Sequence, residues 1–346
     1  FTSGFEFGMT ALEQLSGSYV GVSGSAFAYA GNATTMSISS ICGSDFEFRI
    51  ADKINQIKGT SFGTGVWTAG TAIPVAMSSG FNIGTQNSAL SVGGYAPAIT
   101  AAAYKYSGDS WAASAPMVLG RTGGGSSGTQ NAALIFGGRV SSAAKHNNLT
   151  EEYNGSSWSE QNNLPVEARN TAGTGTQNAT IQAGNYIAPS TFNSETYLYN
   201  GVNWSDAGGD LITACRRDAG FGGTYDAAVS VGGYPYPAGC TCVENWNGTS
   251  WSAGTAINTA RIGGSFAGTQ NDAIVFGNAS PYSGITEEWN GTSWTERSDL
   301  ITARGYSGCT GVGLSDAAAA FGGYPGSSNV ANTEFWDATS TTTGSF

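Results

Sequence analysis

The stretch Glu151-Glu152-Tyr153-Asn154-Gly155-Ser156-Ser157-Trp158 decides the fold, because close copies of it run along the chain. An aromatic residue stands five positions ahead of a tryptophan at Tyr106/Trp111, Tyr153/Trp158, Tyr199/Trp204, Trp246/Trp251 and Trp289/Trp294, with Asn-Gly or a near relative between them. From Trp67 to Trp294 the tryptophans advance in steps of 43 to 47 residues. Each pair follows a Gly-Gly or Gly-Asn step, at Gly93, Gly137, Gly184, Gly232 and Gly277. A fixed period of this size marks a repeat architecture.

One copy predicts one structural unit. Gly128-Thr-Gln-Asn is a turn, Ala132-Ala-Leu-Ile-Phe136 is a run that can be buried on both faces, and Gly137-Gly138 stops it. Residues 151–153 read as a second short strand, ended by the Asn154-Gly155 hairpin signal. Trp158 opens a third, and a loop ending in Ala168-Arg169 leads to a fourth, glycine-rich strand at 171–174. Four short antiparallel strands in roughly 45 residues make one propeller blade. Such a unit cannot bury its apolar face alone, so the blades stack around an axis.

The order Gly-Gly, Tyr, turn, Trp, Arg resembles the kelch repeat over about residues 20–340. The arginine recurs at Arg121, Arg169, Arg216, Arg261 and Arg304, with Met77 in its place in an early copy. The wording is similar to the kelch-like proteins of tailed marine bacteriophages, of the cyanophage type. It consists of Gly-Thr-Gln-Asn from Gly84, Gly128, Gly175 and Gly268, and Glu287-Glu288-Trp289-Asn290-Gly291-Thr292-Ser293-Trp294. That resemblance implies a virion-surface or extracellular protein.

Gly-Gly or its equivalent at 93, 137, 184, 232, 277 and 322, with a degenerate copy Ala26-Phe-Ala-Tyr-Ala-Gly31, predicts seven blades. The last copy reaches Glu334-Phe335-Trp336-Asp337 but has Thr341 where its tryptophan is due, so its outer strand must come from elsewhere. Gly4-Phe5-Glu6-Phe7-Gly8 alternates in polarity and has no partner nearby. The expectation is therefore an all-β, seven-bladed propeller of kelch type filling 1–346 as a single domain. Residues 1–16 supply the closing strand and a short helix at the capping box Thr10-Ala-Leu-Glu13. Six blades plus an N-terminal hairpin is the alternative. A surplus at 45–58 reads as an insert in the first blade, helix or strand, serving either as an embellishment or as a docking element.

Composition narrows function. Charged residues are 11% and the formal net charge is −11, which disfavours nucleic acid and anionic membranes as partners. No apolar stretch is long enough for a membrane span of about 18 residues. The chain starts at Phe1, so no leader segment can be judged. The five cysteines, Cys42, Cys215, Cys240, Cys242 and Cys309, are odd in number. With His146 as the only histidine they make no zinc set, and neither metal nor cofactor is expected. The lone histidine sits in a polar loop without a nucleophile elbow, which argues against hydrolase chemistry. The glutamates recur at one place per copy, as Glu151, Glu244, Glu287 and Glu334 do, and so serve the blade rather than an active site. No enzyme is expected.

What recurs in every copy serves the blade, whereas what appears once can serve a ligand. The variable stretches follow the Gly-Gly step and carry Tyr95, His146, Tyr186, Tyr234, Tyr236, Tyr282 and Tyr324. Tyrosine and proline there provide rigid amphipathic contact area. These residues are expected to share one rim, with Arg121, Arg169, Arg216, Arg261 and Arg304 ringing the channel beneath. Alternatively, each arginine pairs with a recurrent glutamate, and the tyrosines pack against neighbouring loops. The expected partners are a host cell-surface protein or glycan, or other virion proteins, with a homo-oligomer as a further arrangement.

Overall fold

A computed structural model describes residues 5–8, 19–22, 25–28, 35–38, 65–140, 146–187, 191–213, 220–234, 238–306, 308–309 and 315–338. The chain divides into two compact units, Phe1–Thr60 and Ser61–Phe346. In the first, Phe5–Gly8 pairs antiparallel with Thr35–Ile38, and Tyr19–Val22 with Ser25–Ala28. The second is a propeller of six four-stranded antiparallel sheets.

Six blades replace the seven expected, and the alternative reading of the count holds. The degenerate copy around Ala26 forms only a two-stranded hairpin. Phe5–Gly8 is not the closing strand, since its partner is Thr35–Ile38. The outer strand of the last blade is Val66–Gly70, pairing with Thr333–Asp337 in the register Trp336↔Trp67. This is the register of Tyr153↔Trp158 and Trp246↔Trp251 inside continuous blades. Trp67 therefore belongs to the last blade rather than the first. The capping-box helix at Thr10 and the 45–58 insert lie outside the described residues.

The phase of the blade also differs from the expectation. The glycine-rich strand opens a blade: Gly125–Thr129 pairs with Ala132–Phe136, and Ala172–Thr176 with Ala179–Ile187. The first strands of neighbouring blades touch in a closed cycle, so they line the axis. Their small residues make room for rings from beside them. A Cβ on Gly125 would stand 2.2 Å from the Phe136 ring, and one on Gly222 would stand 2.1 Å from the Phe266 ring. The second strands are buried on both faces, as in Ala273–Ala279. Each interface between blades holds its own apolar cluster, such as Leu134, Phe136, Tyr197, Tyr199 and Trp204 between the second and third.

Two recurrent side chains fasten blade to blade, and a third holds the outer turn. The outer-strand indoles donate backwards: Trp204 Nε1 to Thr150 Oγ1 at 3.0 Å, Trp251 Nε1 to Thr196 Oγ1 at 2.9 Å, and Trp67 Nε1 to Thr286 Oγ1 at 3.1 Å. Trp111 Nε1 completes the circle at Thr71 O, at 3.0 Å. The glutamine of Gly-Thr-Gln-Asn reaches the preceding blade too. Gln177 Nε2 donates to Ala133 O and Tyr153 O at 3.0 and 2.8 Å, and Gln270 Nε2 to Ala228 O and Trp246 O at 2.7 and 2.6 Å. The asparagine of the Asn-Gly turn holds a four-residue loop rather than a two-residue one: Asn154 Oδ1 accepts from Ser156 N and Ser157 N at 3.0 and 2.9 Å. Gly155, at φ 93°, follows as the left-handed residue that loop requires.

Candidate functional site

The recurrent arginine sits in the loop that carries the chain from the outer strand of one blade to the axis strand of the next. Arg121, Arg261 and Arg304 are 0–1% exposed. Arg261 Nη2 pairs with Glu287 Oε1 at 2.8 Å, and Arg121 Nη2 with Glu151 Oε1 at 3.0 Å. Arg304 pairs with Glu334. The second carboxylate oxygen takes the loop backbone: Glu287 Oε2 accepts from Asn258 N, and Glu334 Oε2 from Ile301 N, both at 2.7 Å. Burial pulls the arginines below their ordinary value, Arg121 to about 10, against the opposing field of its glutamate. These three guanidiniums clamp the scaffold and do not ring the channel. The structure agrees with the pairing alternative for them. Arg216 lies outside the described residues, although Glu244 there holds Ile212 N at 2.7 Å.

The arginine and its glutamate occur or vanish together in five of the six blades. The glutamate stands two positions ahead of the strand-ending aromatic, as in Arg121/Glu151, Arg216/Glu244, Arg261/Glu287 and Arg304/Glu334. Where Met77 replaces the arginine, that position is Tyr104. Only Arg169 departs, for its blade places Tyr197 there. Tyr197 Oη donates instead to Glu195 Oε2 at 2.5 Å. Arg169 is half-buried, with its guanidinium 4.5 Å from the centroid of the Tyr186 ring.

Arg169 opens onto a cavity of about 320 Å³ at one end of the axis, lined by Ser79, Thr122, Arg139, Asn170, Thr171 and Tyr306 among others. All but Arg139 come from the segments just ahead of the axis strands. Ser79, Gly123, Asn170, Gly263 and Tyr306 adopt positive φ. They pass a backbone hydrogen bond around the axis: Gly123 N to Ser79 O at 2.9 Å, Asn170 N to Gly123 O at 2.6 Å, Tyr306 N to Gly263 O at 2.9 Å and Ser79 N to Tyr306 O at 3.0 Å. Left-handed geometry at Ser79, Asn170 and Tyr306 is strained for side chains, and these hydrogen bonds hold it. Among the described residues no aspartate or glutamate lines this mouth. The opposite mouth, about 210 Å³, is walled by recurrent Gly-Thr-Gln-Asn turns such as Gly128, Thr129, Gln130 and Asn131.

The loops predicted to carry recognition lie at the first mouth. Tyr95, Arg139, Tyr186 and Tyr324 follow their Gly-Gly or Gly-Asn steps and bridge to Ser78, Thr122, Arg169 and Gly305, which abut or line it. Tyr95 is 42% exposed and Tyr282 is 36% exposed, and Tyr282 meets Tyr324 edge-on at 5.5 Å. His146 is buried, bridged to Arg139 and 5.6 Å from the Tyr186 ring. Burial, then Arg169, draws its pKa below 6.5, so the imidazole is neutral at neutral pH. Tyr234 is half-buried, and Tyr236 lies outside the described residues. Sequence reasoning missed Tyr306 and Arg139 as lining residues. Arg139 was visible as the one cation among residues that follow the glycine step, whereas Tyr306 carried no signal of its own. Among the described residues no group of three or more His, Cys, Asp or Glu side chains converges.

No family model matches this chain, and no curated protein matches it in sequence. Among solved structures, the one described as "Structure of YjhT" is similar with a TM-score of 0.64, covering 77% of this chain and 96% of that one at 16% identity. That likeness is one of fold, a β-propeller in both.

Proposed function

We propose that this propeller is a non-enzymatic recognition protein of kelch type, acting at a virion or cell surface and binding its partner through one loop face. The observation that supports the reading is the contrast between the two ends of the axis. One is walled by turns that repeat from blade to blade. The other gathers residues whose setting varies from blade to blade: Arg139, Arg169, Tyr306, and the exposed Tyr95 and Tyr282 around them. A surface that varies between blades can be matched to one ligand without altering the repeated scaffold. The wording of the repeats, similar to that of kelch-like phage proteins, supports a host cell-surface protein or glycan as the partner.

The test is attachment of the purified chain to host cells. The double variant Tyr95→Ala/Tyr282→Ala is expected to weaken attachment about tenfold while leaving the unfolding midpoint unchanged. Attachment equal to that of the parent chain removes the loop face as the binding surface.

A second reading, a structural subunit held by other virion proteins, is favoured by one different observation. Val118, Ile212 and Ile301 follow the buried Met117, Leu211 and Leu300 in equivalent loops, yet they are 55%, 61% and 62% exposed. Their amides are pinned by Glu151, Glu244 and Glu334, so they form fixed apolar points in three of the six blades. If this reading is right, Ile212→Lys/Ile301→Lys abolishes incorporation into particles and spares host attachment by the free chain.

A further inference from the structure

We propose that His146 makes the binding face sensitive to mild acid: protonation of its buried ring loosens the junction that holds Arg139 and Arg169 beside the axial mouth. This rests on the reading of that end as the binding face and adds how the face is regulated.

Position is the first argument. The bond from Asn147 N to Gly138 O, at 3.1 Å, recurs in three other blades. There it runs from Thr100 N to Gly94 O and from Cys240 N to Gly233 O, both at 3.1 Å, and from Val330 N to Gly323 O at 3.0 Å. The residue ahead of the donor is Ile99, Gly239 or Asn329, half-buried in every case. Among these four blades the second alone places a titratable side chain there, and it is 6% exposed. The repeat accepts an uncharged residue at this position, so the scaffold does not call for a histidine.

The surroundings are the second argument. His146 bridges to Arg139, which lines the mouth and whose N donates to Thr122 O at 2.8 Å. The imidazole stands 5.6 Å from the ring of Tyr186 in the third blade, and the Arg169 guanidinium lies 4.5 Å from that same ring. Tyr186 N donates to Arg169 O at 3.0 Å, so one imidazole joins the variable loops of two blades. The charged groups facing it are Arg139 from its own loop, and Arg169 and the exposed Glu167 from the connection into the third blade. One residue on, Asn147 Oδ1 accepts from Arg121 Nη1 at 3.4 Å, and Glu151 holds that arginine's charge. Lys145 lies outside the described residues. Two guanidiniums against one exposed carboxylate make a proton on this ring costly, and burial adds to the cost.

Burial, then Arg169, holds the folded ring below its ordinary value of 6.5. The stabilisation from the neutral ring is therefore complete above pH 6.5 and is lost as pH falls below that value towards the folded one. The chain has one histidine, and carboxylates ordinarily titrate near about 4. The interval from about pH 7 to about pH 5.5 thus reports on this side chain.

The experiment is a proton NMR titration of the full chain, in which a single histidine gives a single curve. Its midpoint is expected below 6.5. Corrected for its intrinsic pH dependence, amide exchange at Asn147 and Tyr186 is expected to quicken about fivefold from about pH 7 to about pH 5.5, relative to the strand Ala273–Ala279. In His146→Asn, which copies Asn329 of the last blade, that acceleration is expected to disappear. A midpoint at or above 6.5, unchanged exchange in the parent chain, or equal acceleration in the variant would each overturn the proposal. An ordinary titration defeats this inference alone, because attachment of the Tyr95/Tyr282 variant at neutral pH still decides the binding face.

Discussion

Arg261 and Arg169 occupy equivalent loops and do opposite things. Arg261 is 1% exposed, bonded to Glu287, to Gly277 O at 3.1 Å and to Ile285 O, its whole charge committed to joining two blades. Arg169 is half-buried, stacks on Tyr186 and lines the axial mouth. One residue separates the cases, for the carboxylate opposite Arg261 is a phenol, Tyr197, opposite Arg169. A buried guanidinium is tolerable only with a counter-charge close by. With a phenol at that position, the Arg169 side chain lies at the mouth against the Tyr186 ring. A single departure from the repeat thus turns a structural clamp into surface chemistry.

The comparison can be broken in order of expected effect. Glu287→Ala leaves Arg261 buried without its carboxylate and should cost about 3–5 kcal/mol in denaturant unfolding. Arg169→Gln should cost less than about 1 kcal/mol, and equal losses would end the distinction between the two loops. Trp251→Ala, which empties an interface and removes a bond to Thr196, is expected to cost about 3–5 kcal/mol. Its effect sets the scale for a scaffold residue independent of charge.

A fourth variant sharpens the contrast by changing the residue opposite the arginine. Tyr197→Glu places a carboxylate where four other blades have one and should draw Arg169 into a clamp. Ligand binding at the mouth would then fall about tenfold or more, with little change in the cavity's other walls. Unchanged binding would mean that Tyr197 does not govern the arginine.

The smallest effect is one of pH. Burial, followed by hydrogen bonds to Glu195 and Glu152, raises the phenols of Tyr197 and Tyr199 well above the ordinary tyrosine value of 10.0. Because the folded value lies above the unfolded one, this stabilisation is complete below pH 10. It fades as pH climbs towards the folded values. Unfolding midpoints should drop above pH 10, and Tyr199→Phe should flatten that decline. An equal decline in Tyr199→Phe would assign it to other groups.

Much of this was legible one repeat at a time. The Tyr/Trp spacing predicted the strand pair that the register shows, and the recurrence of arginine with glutamate allowed the pairing reading. What stayed hidden was Tyr306, whose role comes from a left-handed backbone and a glycine in the preceding blade, neither visible as a motif. The mixture of roles within the arginine set was hidden for a related reason. Recurrence marks a shared position, and only the neighbour opposite decides what a side chain does there.

The sequence by itself determined that this is an all-β array of four-stranded blades, because turns and strand alternation act between residues close along the chain. Only the tertiary structure decided how many blades there are, which strand opens each one and what closes the ring. Trp67 pairs with Trp336 from the opposite end of the propeller unit, in a register that any outer strand of the array could offer. Local pattern cannot choose among equivalent edges. The choice falls to the ring as a whole, where six interfaces must close at once and each first strand must meet its two neighbours around the axis.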